Sequence, residues 1–332
     1  MVPIGRCSGC GKRVQGRHSE QTSDALGAAA CQLGPNAKSF GTWLHYTMRL
    51  SFGRCASVLA HLGVDVTPGA LAVSAVATGA ALDEVHQEII AHVNDASVMT
   101  ADESGWKVAG QHGWLWVATT KEATAYNIAQ GRSYDDALAL INDDYSGVLV
   151  RDGYVVYRSF DLATHQSCAA YLLRRAGHLA EDNPAWARAT LIEVQGILTT
   201  ALDARGASQR TRRRIARNLE ERVDALLQID QCYDANRRLV DHLAAERDAL
   251  FTFLRRDGVE ATNWRGEQAI RPAVVNRKVW GGNRTWRGAE AQSRIMSVLR
   301  TAAQRGLDPI EYLVRVARAP AGEPVWLFFN TT

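Results

Sequence analysis

Residues 261–288, ATNWRGEQAIRPAVVNRKVWGGNRTWRG, set one glutamate, Glu267, among the basic residues Arg265, Arg271, Arg277, Lys278, Arg284 and Arg287. A carboxylate repels a phosphate and adds nothing to anion affinity by itself. Its place in a cationic field is explained if it holds a divalent cation that a phosphate also touches. A cation site of that kind needs more carboxylates, and two stand upstream at the ends of predicted strands: Asp102 in SVMTADESGW and Asp152 in GVLVRDGYVVYR. The competing first acid is Glu103, which strand alternation sends to the opposite face. The competing second acids are Asp143 and Asp144, in a helix-to-strand loop where acids are ordinarily solvated.

The elements around these acids are read from periodicity. Residues 97–104, 114–120 and 124–128 are β-favouring runs separated by residues 110–113 and by Lys121-Glu122-Ala123, an antiparallel meander. Residues 134–141 predict a short helix, and 147–150 an apolar strand opening at Arg151-Asp152-Gly153. Helix resumes from His165, where His165 and Cys168 stand at i, i+3. Pro272 is expected to kink or end the helix bearing Glu267. Gly281-Gly282-Asn283 reads as a flexible loop. A helix then follows from about Arg287 to Gln304, and Asp308-Pro309-Ile310-Glu311 opens another.

Six motifs, TADESGW, WLWVATT, VLVRDGY, HQSCAAYLLRR, the Glu267 stretch and RGLDPIEYL, follow in an order that resembles the insertion sequence 66 family of DDE-type transposases, from about Cys7 to Tyr312. The resemblance implies an α/β fold with a mixed sheet, a ribonuclease H-like core with a helical insertion, preceded by a small helical region. Its acidic triad falls on Asp102, Asp152 and Glu267. Two Mg2+ or Mn2+ ions would bind there, bridged by Asp102, with Asp152 completing one site and Glu267 the other. The implied reaction is DNA strand hydrolysis followed by transfer of the 3′ end into a target. The implied partners are the element's terminal repeats, target DNA, other copies of the chain and element-encoded accessory proteins, in the bacterial cytoplasm. Arg271, Arg277, Lys278, Arg284 and Arg287 would hold phosphates, and Asn263 would orient backbone or phosphate near Glu267. This sequence departs from the family at Tyr171, Trp264, Trp280 and Trp286. Two other readings therefore stay open: a catalytically inactive DNA-binding remnant, and a nuclease or resolvase on the same fold.

The chain of 332 residues is long enough for one large or two ordinary domains, and its formal charge of +3 is unevenly spread. Residues 261–318 carry eleven Lys/Arg against four Asp/Glu, leaving 27 against 31 elsewhere (38 and 35 in total). A polyanionic partner near the last segment fits that asymmetry, and so does a solvated helix face. The run Arg210, Arg212, Arg213, Arg214 and Arg217 has the same two readings. No run of about 18 apolar residues predicts a membrane span, and no secretory or transit signal opens the sequence.

Six scattered cysteines do not form a secreted disulfide framework. Cys7 and Cys10 have the CxxC-Gly form of half a zinc knuckle, to be completed by His18 and Cys31 or by a pair upstream of Met1, in which case the chain starts inside a longer protein. The expected organisation is a leader with this motif (1–36), a helix-turn-helix-like region (37–94), the first part of the core (95–172), the helical insertion (173–256), the second part of the core (257–318) and a tail (319–332). Between Arg54 and Lys107 there is no Lys or Arg, which favours a packed helical pair over a base-reading module there.

Overall fold

The computed structural model describes residues 4–16, 33–320 and 322–328. A small hairpin of β1 (Ile4–Arg6) and β2 (Arg13–Gln15) comes first. Four helices follow: α1 (Pro35–Tyr46), α2 (Phe52–His61), α3 (Pro68–Ala81) and α4 (Asp83–Asn94). Ser51 and Thr67 cap α2 and α3 by accepting the N–H groups of Arg54 and Ala70, as their positions before the apolar periodicity predict. α3 crosses a later helix, Trp286–Gln304, so closely that a Cβ on Gly79 would lie 2.5 Å from Ala291 Cα. Buried residues of α3 and α4 join the core of the sheet, and α1, α2 and α3 share a smaller cluster around Leu44, Leu59 and Leu71.

The sheet is built from β3 (Val98–Val108), β4 (Gln111–Thr119), β5 (Thr124–Ala129), β6 (Val148–Arg151) and β7 (Thr164–Ser167), with the short α5 (Tyr134–Ala137) before β6. Its order is β5-β4-β3-β6-β7. The first three strands are antiparallel neighbours, while β6 runs parallel to both β3 and β7. The β3–β4 turn is tighter than the expected break at 110–113: Ala109 (φ 53) and Gly110 (φ 78) make a two-residue turn, and His112 and Gly113 belong to β4. β3 therefore continues to Val108, because Trp106 and Val108 are buried and the Trp106 indole N–H donates to Asn283 Oδ1 at 2.7 Å. Asp102 is thus in mid-strand and not at a strand end.

The helix expected from His165 is a strand to Ser167, and helix begins only at Ala169. Gln166 is fully buried there, accepting the Phe253 N–H at 2.8 Å and donating to Leu250 O at 3.2 Å, so tertiary partners decide the conformation. His165 and Cys168 accordingly share no helix face.

Helices α6 (Ala169–Asp182), α7 (Ala189–Asp203), α8 (Gln209–Leu227), α9 (Asp234–Glu246) and α10 (Thr252–Arg255) surround a separate apolar core that includes Leu172, Leu191, Leu198, Leu219 and Leu243. The chain returns to the sheet as α11 (Trp264–Trp280), α12 (Trp286–Gln304) and α13 (Pro309–Arg318). α11 continues through Pro272 instead of ending there. Its buried Ala269 and Ala273 lie against the sheet, and Tyr126 Oη donates to Ala269 O at 2.6 Å; these contacts offset the hydrogen bond that proline removes. The Gly281-Gly282-Asn283 segment is likewise pinned, since Asn283 N donates to Lys107 O at 2.9 Å and Ala109 N to Asn283 O at 2.8 Å.

β5 is a sheet edge with unpaired N–H groups, and α12 covers it. Its hydroxyls at Ser293, Ser297 and Thr301 accept from the N–H groups of Ile128 (3.0 Å), Tyr126 (2.8 Å) and Thr124 (3.1 Å). Four helical residues advance ~6 Å and two strand residues ~6.6 Å, so the two repeats stay in step over this length.

Candidate active site

Asp102 projects from β3 toward the first turn of α11. A Cβ on Gly266 would come 3.0 Å from Asp102 Cβ and 2.6 Å from Asn263 Oδ1, so glycine permits the helix to lie this close. Asp102 Oδ1 accepts the Glu103 N–H at 2.9 Å. Burial pushes its carboxyl up to about 8, helped by the negative charges of Glu103 and Asp152 and, less, Glu267, while the Glu103 N–H opposes the shift.

Asp152 follows β6 directly. The parallel register pairs Val98 with Val148 and Thr100 with Val150, so β6 ends beside the part of β3 that bears Asp102, and the Asp152 charge acts on Asp102. Asp152 Oδ1 accepts the Tyr154 N–H at 2.9 Å, which fixes the turn after the strand.

Glu267 sits in the first turn of α11, its N–H donating to Asn263 O at 3.0 Å. Its side chain is 54% exposed and lies 3.6 Å from the Arg174 guanidinium of α6. The strands and α11 bring all three acids into one electrostatic neighbourhood, as Asp102 records. Among the described residues, however, no three His, Cys, Asp or Glu side chains stand ready to hold a metal ion. The donor chemistry suits a hard cation, since all three groups offer oxygen and the charges of Asp152 and Glu267 both act on Asp102.

Glu103 points to the other face and is engaged there: buried, paired with Arg132 and accepting the Tyr157 hydroxyl. Burial holds its carboxyl above the usual range, while the Arg132 and Tyr157 bonds pull it down. Asp143 and Asp144 are exposed, Asp143 accepting from Tyr134 Oη.

The basic residues separate into two groups. Arg271, Lys278, Arg284 and Arg287 are exposed, and so are Arg213 and Arg214 of α8. Arg277 instead donates to Gly105 O and lies 3.4 Å from Ser104 Oγ, joining α11 to β3, and Arg212 is paired with Asp257. Asn263 is buried, with its N–H on Cys168 Sγ at 3.3 Å and its Oδ1 unpartnered. Among the departures from the family, Trp280 stacks on His45 (centroids 4.1 Å apart) and is a packing residue. Trp264 (43% exposed, under the Arg265 guanidinium at 4.7 Å) opens the turn of α11 that bears Glu267, and Tyr171 (39% exposed) of α6 lies near the Asp152 turn, where a Cβ on Gly153 would be 3.6 Å from its ring.

Sequence reasoning missed Arg174, although its motif HQSCAAYLLRR was in view, and missed the buried Arg151–Glu246 pair beside Asp152, for which no local pattern exists. Cys7 and Cys10 lie exposed on the β1–β2 hairpin, and the N–H groups of Gly9 and Cys10 hold the Cys7 thiol below its ordinary range. His18 and Cys31 lie outside the described residues.

Across residues 31–291, which include all three acids, the chain matches the family model described as Transposase IS66 family. By class it is a transposase, a protein that acts on DNA. It belongs to the IS66 family. No curated protein matches the chain. Among the described residues no helix is long and apolar enough to cross a membrane.

Proposed function

We propose that this chain cleaves DNA strands at the element ends and joins the 3′ ends to a target, using Asp102, Asp152 and Glu267 on a ribonuclease H-like core as the ligands of two Mg2+ or Mn2+ ions. The observation that carries the reading is the convergence of Asp102, on β3, with Asp152, just past its parallel neighbour β6, under the helix bearing Glu267. The order β5-β4-β3-β6-β7, with β5, β4 and β3 antiparallel neighbours and β6 and β7 running parallel to β3, supports the core assignment.

Asp102 lies between the other two acids in influence and fits the shared position, with Asp152 and Glu267 each completing one side. When bound, divalent ions activate the attacking oxygen and stabilise the leaving oxygen at phosphorus. Asp102 must give up its proton for that binding. Glu267 is the exposed member: its ion pair with Arg174 is worth only ~0–1 kcal/mol, so a cation displaces it at little cost, and Arg174 is then free for a phosphate. Arg271, Lys278, Arg284 and Arg287, with Arg213 and Arg214 on the helical region, hold the DNA backbone. Arg277 supports β3 instead.

The test is strand cleavage of element-end DNA with Mg2+ or Mn2+. Asp152→Asn should lose more than ~100-fold of the cleavage rate, beyond what loss of a supporting residue causes, while binding the same DNA equally well. Equal cleavage by the variant refutes the site. Intact DNA binding with no cleavage by the unsubstituted chain would instead support the inactive remnant, a reading favoured by the exposed, arginine-paired state of Glu267. Preference for branched DNA over element ends would support a resolvase.

A further inference from the structure

α9 belongs to the helical stretch between the second and third acids, yet it ends on the turn that carries Asp152. Glu246, fully buried, accepts from the guanidiniums of Arg151 and Arg158; the Arg158 contacts are 2.9 Å from Nε and 2.7 Å from Nη2. Arg151 is itself buried and donates from the same Nη1 to the Asp152 carbonyl at 3.0 Å. One helical turn earlier on α9, His242 meets the next residue of the turn: a Cβ on Gly153 would lie 2.4 Å from His242 Cε1. The helix therefore lies close against the turn at Gly153 and holds both of its flanks, through partners 95 and 88 positions away in the chain.

We propose that Glu246 is a positioning residue: through Arg151 and Arg158 it holds the Asp152 carboxylate beside Asp102, so that the helical region sets how tightly the acids take up a divalent ion. This rests on the cation site proposed above. A buried carboxylate shared between two arginines, one of them bonded to the Asp152 main chain, ties α9 to both flanks of that turn. The second apolar core already holds α9 in place through Leu239 and Leu243.

Removing Glu246 alone would leave a buried guanidinium uncompensated and destabilise the chain for that reason only. The informative variant is Arg151→Met with Glu246→Leu, which removes both buried charges together and leaves the half-exposed Arg158 to water. Arg158→Gln is the milder companion, since it keeps the one-to-one pair. Four quantities are measured on the full chain: melting temperature, hydrogen exchange at the Tyr154 amide, Mn2+ binding without DNA by electron paramagnetic resonance, and DNA binding. The double variant should melt near the wild type and bind DNA normally. Its Tyr154 amide should exchange at least ~10-fold faster and its Mn2+ affinity should fall at least ~10-fold. Arg158→Gln should move both in the same direction by less.

Wild-type exchange and Mn2+ affinity in a stably folded double variant overturn the proposal. If that variant does not fold, unchanged values in Arg158→Gln overturn it equally. If the wild-type chain takes up no Mn2+, the cation site fails, and Tyr154 exchange alone then decides whether Glu246 positions Asp152.

Discussion

Asp102→Asn should make the metal-free protein more stable while abolishing cleavage. Folding raises the Asp102 carboxyl from 3.8 to about 8, so between those values the folded chain holds a proton that the unfolded chain has lost. Its ionisation is thus opposed by the fold, and wild-type stability declines as pH rises from about 3.8 to about 8. At pH 7 the penalty is roughly 3 pH units at ~1.4 kcal/mol each, on the order of 4 kcal/mol. Asparagine keeps the oxygen that accepts the Glu103 N–H and removes the charge. At ~2.1 cal/mol/K of unfolding entropy per residue, each kcal/mol moves the melting temperature of a chain this long by roughly 1.4 °C, so the variant should melt ~6 °C higher at pH 7. The gap should close toward pH 4. Added Mg2+ should narrow it again, because a cation at ~100 times its dissociation constant stabilises the wild type by ~2.7 kcal/mol and has lost a ligand in the variant. Differential scanning calorimetry at pH 4, 7 and 8, with and without Mg2+, measures all of this. A variant that melts at or below the wild type at pH 7 and 8, with a gap independent of pH, would refute the reasoning that Asp102 is a carboxylate held among like charges.

Ser297→Ala strands the buried Tyr126 N–H and should lower stability by ~1–3 kcal/mol in urea unfolding, whereas an effect below ~0.5 kcal/mol would mean that α12 does not seal the sheet edge through its hydroxyls. Gly79→Ala forces a methyl to 2.5 Å from Ala291 and should cost ~1–3 kcal/mol; a neutral result would show that α3 and α12 separate freely. His45 and His86 are buried and held down to about 4, so each contributes stability that is complete above 6.5 and lost as pH falls toward 4, on the order of 3 kcal/mol apiece. Measured in the Asp102→Asn background, where the opposing carboxyl is gone, stability should fall steeply over that interval, and a flat profile contradicts their burial as neutral rings. Arg271→Ala should weaken DNA binding and reduce its salt slope by ~1 without changing the melting temperature, while Arg277→Ala should lower the melting temperature first; the reverse pattern would exchange their roles.

Local chemistry made part of this protein legible in the sequence. Ser51 and Thr67 before apolar helices, Asp308-Pro309 before α13, and the β-favouring runs within residues 97–128 each have a short-range cause; the helices start where those causes predict, and the three strands cover the runs with β3 and β4 extended toward their shared turn. The three acids were singled out for the same kind of reason, as carboxylates beside predicted strands or within a cationic stretch, together with the family's motifs. Partners distant in sequence decided the rest. Gln166 makes a strand of residues that look helical because its buried amide is served by Leu250 and Phe253. Pro272 sits inside a continuous helix because the sheet holds α11, and Asn283 turns a glycine-rich loop into a fixed corner by bonding to Lys107 and Trp106. Sequence alone placed Arg277 with the phosphate-binding cations and left Glu246 unnoticed. The tertiary structure ties Arg277 to the β3 main chain and sets Glu246 against Arg151, because whether a charge meets solvent or a buried partner depends on what the fold packs against it, and no local pattern encodes that.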